Sequence, residues 1–289
     1  AYDEESRLST VNFGKFNNST FTYTVNGNAC YKEYGTSGAS GINYDANGNI
    51  TTLKRNGYIT SGGILMDDLA YTYTSNTDKL ASITDAATPG TYATDFEAAT
   101  SKTFTYNSNG QMTASQAEGV STITYFNTGL TKKVTFSNNN YAEYWYDDRG
   151  QKIKTRYFNY GSLKSKFTWY ISDATGNPLA IYEYDSTLVS PAFTLVEEQI
   201  YGSGRIGTLD KVTGIIDYEL NDHLGNVRAT IKGISTGVYE LTSRTDYYSF
   251  GGAMPGRSYN LNSYRFNYQG QEGAPGTNWQ AFDLRMLNS

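Results

Sequence analysis

Aromatic and threonine residues alternate in short runs along the chain. Tyr71 and Tyr73, like Phe104 and Tyr106, stand at positions i and i+2 with a threonine between them. A period of two is typical of a β-strand whose faces differ, because successive strand side chains point to opposite sides of a sheet. The pattern predicts strands with one aromatic face and one polar, threonine-rich face.

Glycine-containing turns separate these runs and recur about every 20 residues, with insertions. The copies are Tyr23–Asn28, Tyr44–Ile50, Tyr106–Met112, Tyr125–Leu130, Tyr146–Gln151, Asp173–Asn177 and Asp222–Val227. Asn-Gly and related pairs supply the positive-φ positions that two-residue hairpin turns require. The sequence therefore predicts an all-β protein of antiparallel hairpin repeats, in which a β-branched residue in place of Gly48 or Gly110 would strain the turn.

Helix signals are scarce. Residues 94–100 form a candidate that is too short to be stable alone. Residues 278–287 carry apolar side chains that suit either a helix or a strand, and we favour a strand.

Composition and charge exclude several classes of protein. The 289 residues include 27 Tyr, 13 Phe, 29 Gly and only 5 Pro, which argues against a disordered or collagen-like chain. The mean hydropathy of −0.54 favours a large sheet that is partly exposed to solvent over a globular protein with a fully buried core. A net charge of −5 has the wrong sign for nucleic-acid binding, and no apolar run reaches the 18 residues of a membrane-spanning helix. We expect no nucleic-acid partner and no direct membrane span.

Residue types that carry catalysis or bind metals are sparse. The single cysteine excludes an internal disulfide and a cysteine-rich zinc site. His223 is the only histidine, so a Ser-His-Asp triad would need it, but its neighbour Asp222 points the other way if both lie in a strand or turn. We interpret His223 as a turn residue.

Acidic pairs and a glycine-rich segment also have structural interpretations. Acidic pairs occur at residues 67–68, 147–148 and 197–198, and no two carboxylates can be paired across a glycosidase site from sequence. Asp147 belongs to a repeat turn, where aspartate caps backbone amides. Residues 202–207 imitate a dinucleotide-binding fingerprint without its strand–helix context, so we predict a loop. The sequence predicts no catalytic residue, no cofactor and no metal site.

The order of these motifs resembles the C-terminal part of Rhs/YD-repeat proteins. Tyr44–Ile50, read as Tyr-Asp-Ala-Asn-Gly-Asn-Ile, matches the YD repeat, and Tyr146–Gly150 is a second good copy. The segments Asp222–Arg228, Tyr247–Gly251, Met254–Ser258 and Tyr264–Glu272 then follow in the family's order. The resemblance divides the chain into degenerate YD/Rhs repeats over residues 1–215 and an RHS repeat-associated core region over 216–289, truncated before the self-cleavage site.

The resemblance also marks a set of structural residues in the turns and the core motif. They are Tyr44, Asp45, Gly48, Asn49, Tyr146, Asp147, Gly150, Asp222, His223, Gly225, Asn226, Arg228, Pro255, Gly256 and Arg257.

The resemblance implies that this chain is part of an Rhs-type β-shell. Such a shell is a spiral or cocoon of β-strands that holds a C-terminal toxin. In such proteins an aspartate-dependent self-cleavage after the core separates shell from cargo. That segment would lie beyond Arg285, so no catalytic aspartate is carried over to this chain. We expect a non-enzymatic structural fragment, cut at both ends, that encapsulates or delivers a C-terminal cargo of the polymorphic-toxin type.

Two alternatives remain open: a protein-interaction module on a bacterial cell surface or secretion assembly, and a carbohydrate-binding adhesin. Unpaired strand edges recruit other chains, so we expect a partner, either the remainder of the shell or a larger envelope or secretion complex. The expected location is secreted or on the bacterial cell surface.

Overall fold

β-strands joined by tight turns make up the described part of the chain. The computed structural model describes residues 1–13, 15–17, 20–22, 24–25, 28–29, 32–35, 42–59, 62–88, 101–260, 264–274, 279–282 and 285–288. Within these ranges the only helical element is a 3-10 turn at Tyr268–Gly270. The all-β prediction is therefore confirmed. The candidate helix at 94–100 lies outside the described residues.

The chain divides into two compact units, each with its own strands. Unit 1 comprises Ala1–Glu118 and Tyr247–Gly256, and unit 2 comprises Gly119–Asp246 and Arg257–Ser289. These units are defined by packing. The predicted boundary at residue 215 is defined by sequence motifs instead, and it stays a prediction.

Twelve complete strands lie among the described residues of unit 1. They are β1 (Val11–Asn12), β2 (Lys15–Asn17), β3 (Thr20–Thr22), β4 (Thr24–Val25), β5 (Asn28–Ala29), β6 (Lys32–Tyr34), β7 (Asn43–Tyr44), β8 (Ile50–Ile59), β9 (Gly62–Tyr73), β10 (Leu80–Asp85), β11 (Lys102–Tyr106) and β12 (Met112–Ser115).

The main sheet of unit 1 is antiparallel. Strand β1 pairs with β6, both β6 and β7 pair with β8, and β9 to β12 follow in sequence order. Strands β2–β3 and β4–β5 form separate hairpins. Leu53, Leu69 and Ile83 are buried together on three successive strands, with Tyr71 and Phe104 packed against them. The predicted aromatic face thus lies on the core of unit 1.

Unit 2 is dominated by one run of strands. They are β13 (Val120–Tyr125), β14 (Thr131–Phe136), β15 (Tyr141–Tyr146), β16 (Lys152–Asn159), β17 (Lys164–Ser172), β18 (Pro178–Asp185), β19 (Thr194–Tyr201), β20 (Arg205–Asp210), β21 (Ile216–Asn221), β22 (Val227–Ser235) and β23 (Val238–Tyr247). Strand β24 (Ala253–Asn260) begins in unit 1 and ends in unit 2. Strands β25 (Glu272–Gly273), β26 (Trp279–Phe282) and β27 (Arg285–Asn288) complete the chain.

Strands β13 to β23 form an antiparallel meander in which each strand pairs with the next. Strands β25 to β27 form a small separate sheet. The strand prediction for residues 278–287 is confirmed at Trp279–Phe282 and Arg285–Asn288. The loop predicted at 202–207 is confirmed only at residues 202–204, because β20 begins at Arg205.

The YD-type turns differ from the predicted two-residue type, which occurs instead between Ser235 and Val238. The amide of Gly48 donates to the Asp45 carbonyl (3.1 Å), and the amide of Asp45 donates to the Asn49 carbonyl (2.9 Å). Only Gly48 within the loop has a positive φ, of 86°. This is a three-residue loop in which a β-turn ends in a left-handed glycine next to a bulge.

The aspartate side chain explains the longer loop. Asp45 Oδ1 accepts hydrogen bonds from the backbone amides of Asn47 and Asn49, both at 2.9 Å. Satisfying two amides at once stabilises this conformation. Four later turns repeat the arrangement, led by Asn107, Asp147, Asp173 and Asp222.

The two faces of the unit 2 sheet are less distinct than the alternation predicts. Consecutive aromatic residues, such as Tyr144–Trp145 and Trp169–Tyr170, place rings on both faces. The buried face instead mixes tyrosine and aliphatic side chains with buried threonines such as Thr155.

Candidate functional site

A short segment near the end of the chain, residues 264–274, lies across the unit 2 sheet. We call this segment the strap and the side of the sheet beneath it the strap face. Its contacts reach seven successive strands, from β16 to β22, through Lys152, Tyr170, Glu183, Glu197, Arg205, Glu219 and Val227. The strap therefore bridges strands that are distant in sequence.

An ion network centred on Glu272 holds the strap to the sheet. Lys152 Nζ lies 2.5 Å from Glu272 Oε2, and Arg265 Nη1 lies 3.0 Å from Oε1. The Tyr170 hydroxyl donates to the same carboxylate at 2.8 Å. Arg265 also reaches Glu183 (3.0 Å) and Glu197 (3.6 Å). Two cations and three carboxylates thus tie the strap to four strands.

The network determines how its members titrate. Burial alone would raise the pKa of Glu272, but the charges of Lys152 and Arg265 and the hydrogen bonds from Lys152 and Tyr170 lower that pKa to about 2. Burial and the neighbouring Glu272 charge raise the pKa of Tyr170 well above its usual range. Burial raises the pKa of Glu197 despite the charge of Arg265.

A second set of strap contacts involves Tyr264 and Phe266 and comprises a cation–π contact, an ion pair and a hydroxyl hydrogen bond. The Arg205 guanidinium lies 3.5 Å from the centre of the Phe266 ring, and its Nε lies 2.7 Å from Glu219 Oε1. The Tyr264 hydroxyl donates to the same Glu219 oxygen at 2.7 Å. Tyr264, Phe266 and Val227 form a buried cluster beneath these contacts.

The core motif at residues 222–228 connects its turn to the strap. Asp222 Oδ1 caps the amides of Leu224 and Asn226, both at 3.0 Å. The buried Asn226 accepts the Gln269 amide of the strap at 2.9 Å, and the Val227 amide donates to the carbonyl of Asn267 at 3.1 Å. His223 and Leu224 are exposed at the tip of the turn, and Gly225 has a positive φ of 80°.

Arg228 and Arg257 meet on one carboxylate. Arg257 Nη2 lies 2.5 Å from Asp246 Oδ2, and Arg228 pairs with the other oxygen of Asp246. Arg228 Nη1 also lies 3.6 Å from Asp222. Pro255 and Gly256 precede Arg257 in β24, where Gly256 has a positive φ of 72°. The structure thus brings Asp222, Arg228 and Arg257 together through Asp246, which sequence reasoning did not identify.

The YD-type turns lie apart from the strap contacts. In unit 1 the Tyr44 ring lies under the Arg7 guanidinium at 4.7 Å. In unit 2 the Tyr146 ring packs edge-on against Phe126, and Gly150 has a positive φ of 84°. Asp147 and Asp222 each cap their own turn and share no site.

Repeat tyrosines perform a structural task that the sequence pattern did not reveal. The hydroxyls of four of them donate to backbone carbonyl oxygens at 2.6–3.0 Å. The pairs are Tyr44 to Leu8, Tyr73 to Ile50, Tyr106 to Leu80 and Tyr201 to Pro178. In the last three pairs the acceptor is the first residue of the strand that precedes the strand containing the tyrosine. Each such tyrosine buries its ring while satisfying its hydroxyl.

Unit 1 contains a second buried cluster of charges. Glu33, Arg55 and Asp67 stand opposite one another on the adjacent strands β6, β8 and β9. Arg55 Nε lies 2.7 Å from Asp67 Oδ2, and the Ser249 amide donates to Glu33 Oε2 at 2.9 Å. Glu33 Oε1 is buried and has no hydrogen-bond partner among the described residues. Burial raises the pKa of Glu33, and the Ser249 hydrogen bond and the Arg55 charge offset this only in part.

No group of three or more histidine, cysteine, aspartate or glutamate side chains able to hold a metal ion occurs among the described residues. No helix within the described ranges is long and apolar enough to cross a membrane.

Comparisons with known proteins give structural neighbours only. No family model matches the chain, and no curated protein matches it. The chain is similar over its full length to a chain of the Photorhabdus luminescens Tc holotoxin pore carrying a TccC3 substitution, with 14% identity and a TM-score of 0.45. It is also similar over 99% of its length to the TcdB2–TccC3 crystal structure, with 13% identity and a TM-score of 0.45. The chain spans 16% and 19% of the lengths of those two chains, respectively.

Proposed function

We propose that this chain is a non-enzymatic wall segment of an Rhs-type β-shell that encapsulates or delivers a C-terminal cargo. Its partners are then the remainder of the shell and the cargo, and its location is outside the bacterial cytoplasm, secreted or on the cell surface. The YD-type turns and the ordered core motifs support this assignment, as does the antiparallel meander that they connect.

The strap is the observation that carries the proposal. A sheet only one layer thick has two exposed faces unless another segment covers one of them. Here the chain's own strap covers part of one face and is held there by Arg265, Glu272 and Asn226. The strap face is therefore the side that we assign to the shell interior.

Purification of the parent protein under native conditions tests this function. Every co-purifying chain is identified by mass spectrometry, and the intact mass of each is measured. We expect this chain within a longer polypeptide of further repeats, together with a smaller C-terminal polypeptide that resists added protease. Partial unfolding in urea should then expose that polypeptide to digestion.

The alternative outcome is equally specific. Recovery of a species near 32.0 kDa bound to unrelated envelope proteins would contradict encapsulation. It would favour a protein-interaction module completed by a partner's strands.

A further inference from the structure

The face of unit 2 opposite the strap carries a continuous patch of aromatic and basic side chains. Trp145, Lys154 and Trp169 stand directly opposite one another on β15, β16 and β17. Adjacent strands lie about 4.8 Å apart, so the two indoles flank Lys154 with a separation of about 10 Å. We call this face the open face and the three residues the Trp–Lys–Trp row.

The Lys154 ammonium group lies among three aromatic rings. Its Nζ lies 4.6 Å from the centre of the Trp145 ring, 4.9 Å from that of Phe167 and 5.2 Å from that of Trp169. No carboxylate of the described residues lies within 4.0 Å of it. Aromatic rings attract a cation but do not neutralise its charge. The ammonium therefore retains its charge for an anion from outside the chain.

The neighbouring row adds to this positive charge. Lys133 and Arg156 share the single carboxylate of Glu143, at 3.6 and 3.4 Å. With Lys154 included, these two rows carry three cations and one carboxylate. This local excess contrasts with the net charge of −5 for the whole chain.

Hydroxyl groups border the rings. Tyr141, Tyr182 and Tyr184 belong to the same face, and their hydroxyls have no hydrogen-bond partner among the described residues. Phe193 stacks on Tyr182 with ring centres 4.9 Å apart and is itself largely exposed. The patch thus offers flat apolar surfaces, a free positive charge and unused hydroxyls within a few strand spacings.

We propose that the open face binds an acidic oligosaccharide that contains uronic acid residues. The apolar C–H face of a pyranose ring packs on an indole, and a ring carboxylate pairs with Lys154. Sugar hydroxyls bond to the tyrosine hydroxyls. Phosphate-rich polymers are disfavoured because they are held by several cation–phosphate contacts, whereas Lys154 is the one cation of the two rows without a carboxylate partner among the described residues. This inference is independent of the shell function, since it concerns the opposite side of the sheet.

Titration of the chain with tetragalacturonate tests the site, with intrinsic tryptophan fluorescence as the readout, since two of the three tryptophans lie in the patch. We expect saturable binding that weakens as sodium chloride is added. The methyl-esterified tetramer should bind at least about tenfold more weakly, since it lacks the charge that pairs with Lys154.

Variants assign the binding to named side chains. Lys154→Met should weaken tetragalacturonate binding by about tenfold or more, and Lys154→Arg should restore most of it. Trp169→Ala should weaken both the acidic and the esterified tetramer. Lys164→Met is the matched control, because Lys164 is an exposed lysine of β17 that contacts none of these rings.

Two results would overturn the proposal. One is the absence of saturable tetragalacturonate binding by the native chain, including the case in which an acidic phosphopeptide binds instead. The other is unchanged binding in a Lys154→Met variant whose far-ultraviolet circular dichroism matches that of the native chain.

Discussion

The two units each bury charged side chains, but the pKa of a buried glutamate is lowered in unit 2 and raised in unit 1. In unit 2, Glu272 receives contacts from Lys152, Arg265 and Tyr170, and its pKa falls to about 2. In unit 1, Glu33 receives one backbone hydrogen bond and leaves one oxygen without a donor, and its pKa rises. Burial penalises both charges alike, so the number of donors and cations decides the sign of the shift.

The comparison also separates two uses of buried charge. The unit 2 network joins a distant segment to the sheet, since Lys152 and Glu272 are 120 residues apart in sequence. The unit 1 row joins strands that are already paired through their backbones, and its hydrogen bond to a distant segment comes from the backbone amide of Ser249. Removing the charge of Glu272 in unit 2 should therefore be costly, whereas removing that of Glu33 in unit 1 should be nearly neutral.

Arg265→Met should have the largest effect. It leaves Glu183, Glu197 and Glu272 near the strap with only Lys152 and Lys166 to compensate. Breaking a buried ion network in this way costs about 3–5 kcal/mol. Urea unfolding followed by circular dichroism measures the loss. Arg149→Met, at an exposed turn, is the control and should cost less than about 1 kcal/mol.

Glu272→Gln should have the second-largest effect, and that effect should depend on pH. Because the pKa of Glu272 falls from 4.5 to about 2 on folding, its ionised form stabilises the protein fully above pH 4.5. That stabilisation is lost as the pH falls toward 2. We expect the substitution to cost roughly 3 kcal/mol at pH 7 and to remove the dependence on pH between 4.5 and 2. An identical acid profile for the variant and the native chain would contradict this account of the network.

Substitution of a turn glycine should have an intermediate effect of equal size in both units. Gly48 and Gly150 have φ values of 86° and 84°, and neither has a neighbour that a Cβ atom would strike. Valine at either position should cost about 1–2 kcal/mol through backbone strain alone. Gly233→Val, in a strand with ordinary φ and open space, should be close to neutral. Unequal urea midpoints for the two turn variants would show that the turns are not equivalent.

Glu33→Gln should have the smallest effect and the opposite sign. Because the pKa of Glu33 is raised on folding, its contribution is fully present below the unfolded pKa and is lost as the pH rises through the folded pKa. An amide removes this penalty and keeps an acceptor for the Ser249 amide. We expect a gain of less than about 1 kcal/mol at pH 7, measured by urea unfolding. A marked destabilisation would mean that Glu33 is paired as well as Glu272.

Local patterns in the sequence were sufficient to predict the strands and turns. Asp45 and Gly48 act within five residues of one another, so the hairpin and the left-handed glycine can be predicted without the rest of the chain. The predicted loop length was wrong, because the bond from the Asn49 amide to the Asp45 side chain adds a residue to the loop. This capping bond is itself local, and an aspartate four residues before an asparagine is its sequence signal.

The strap contacts and the open face could not be predicted, because they depend on strand register and long-range packing. Nothing near Glu272 in sequence indicates that Lys152 will be its partner. Trp145 and Trp169 flank Lys154 only because three strands pair in one particular register. A shift of one residue would move Lys154 to the strap face.

The central claim is that the strap is fixed on the strap face. Hydrogen exchange of the native chain, measured by mass spectrometry, tests this claim most directly. The account predicts that the amides of Val227 and Gln269, which bond to Asn267 and Asn226, exchange as slowly as the strands beneath the strap. Arg265→Met should accelerate exchange at Gln269 while leaving the turn at Asp147 unchanged. If the strap amides of the native chain exchanged as fast as those of the exposed turns, the claim would be contradicted. The strap would then not protect the strap face from solvent.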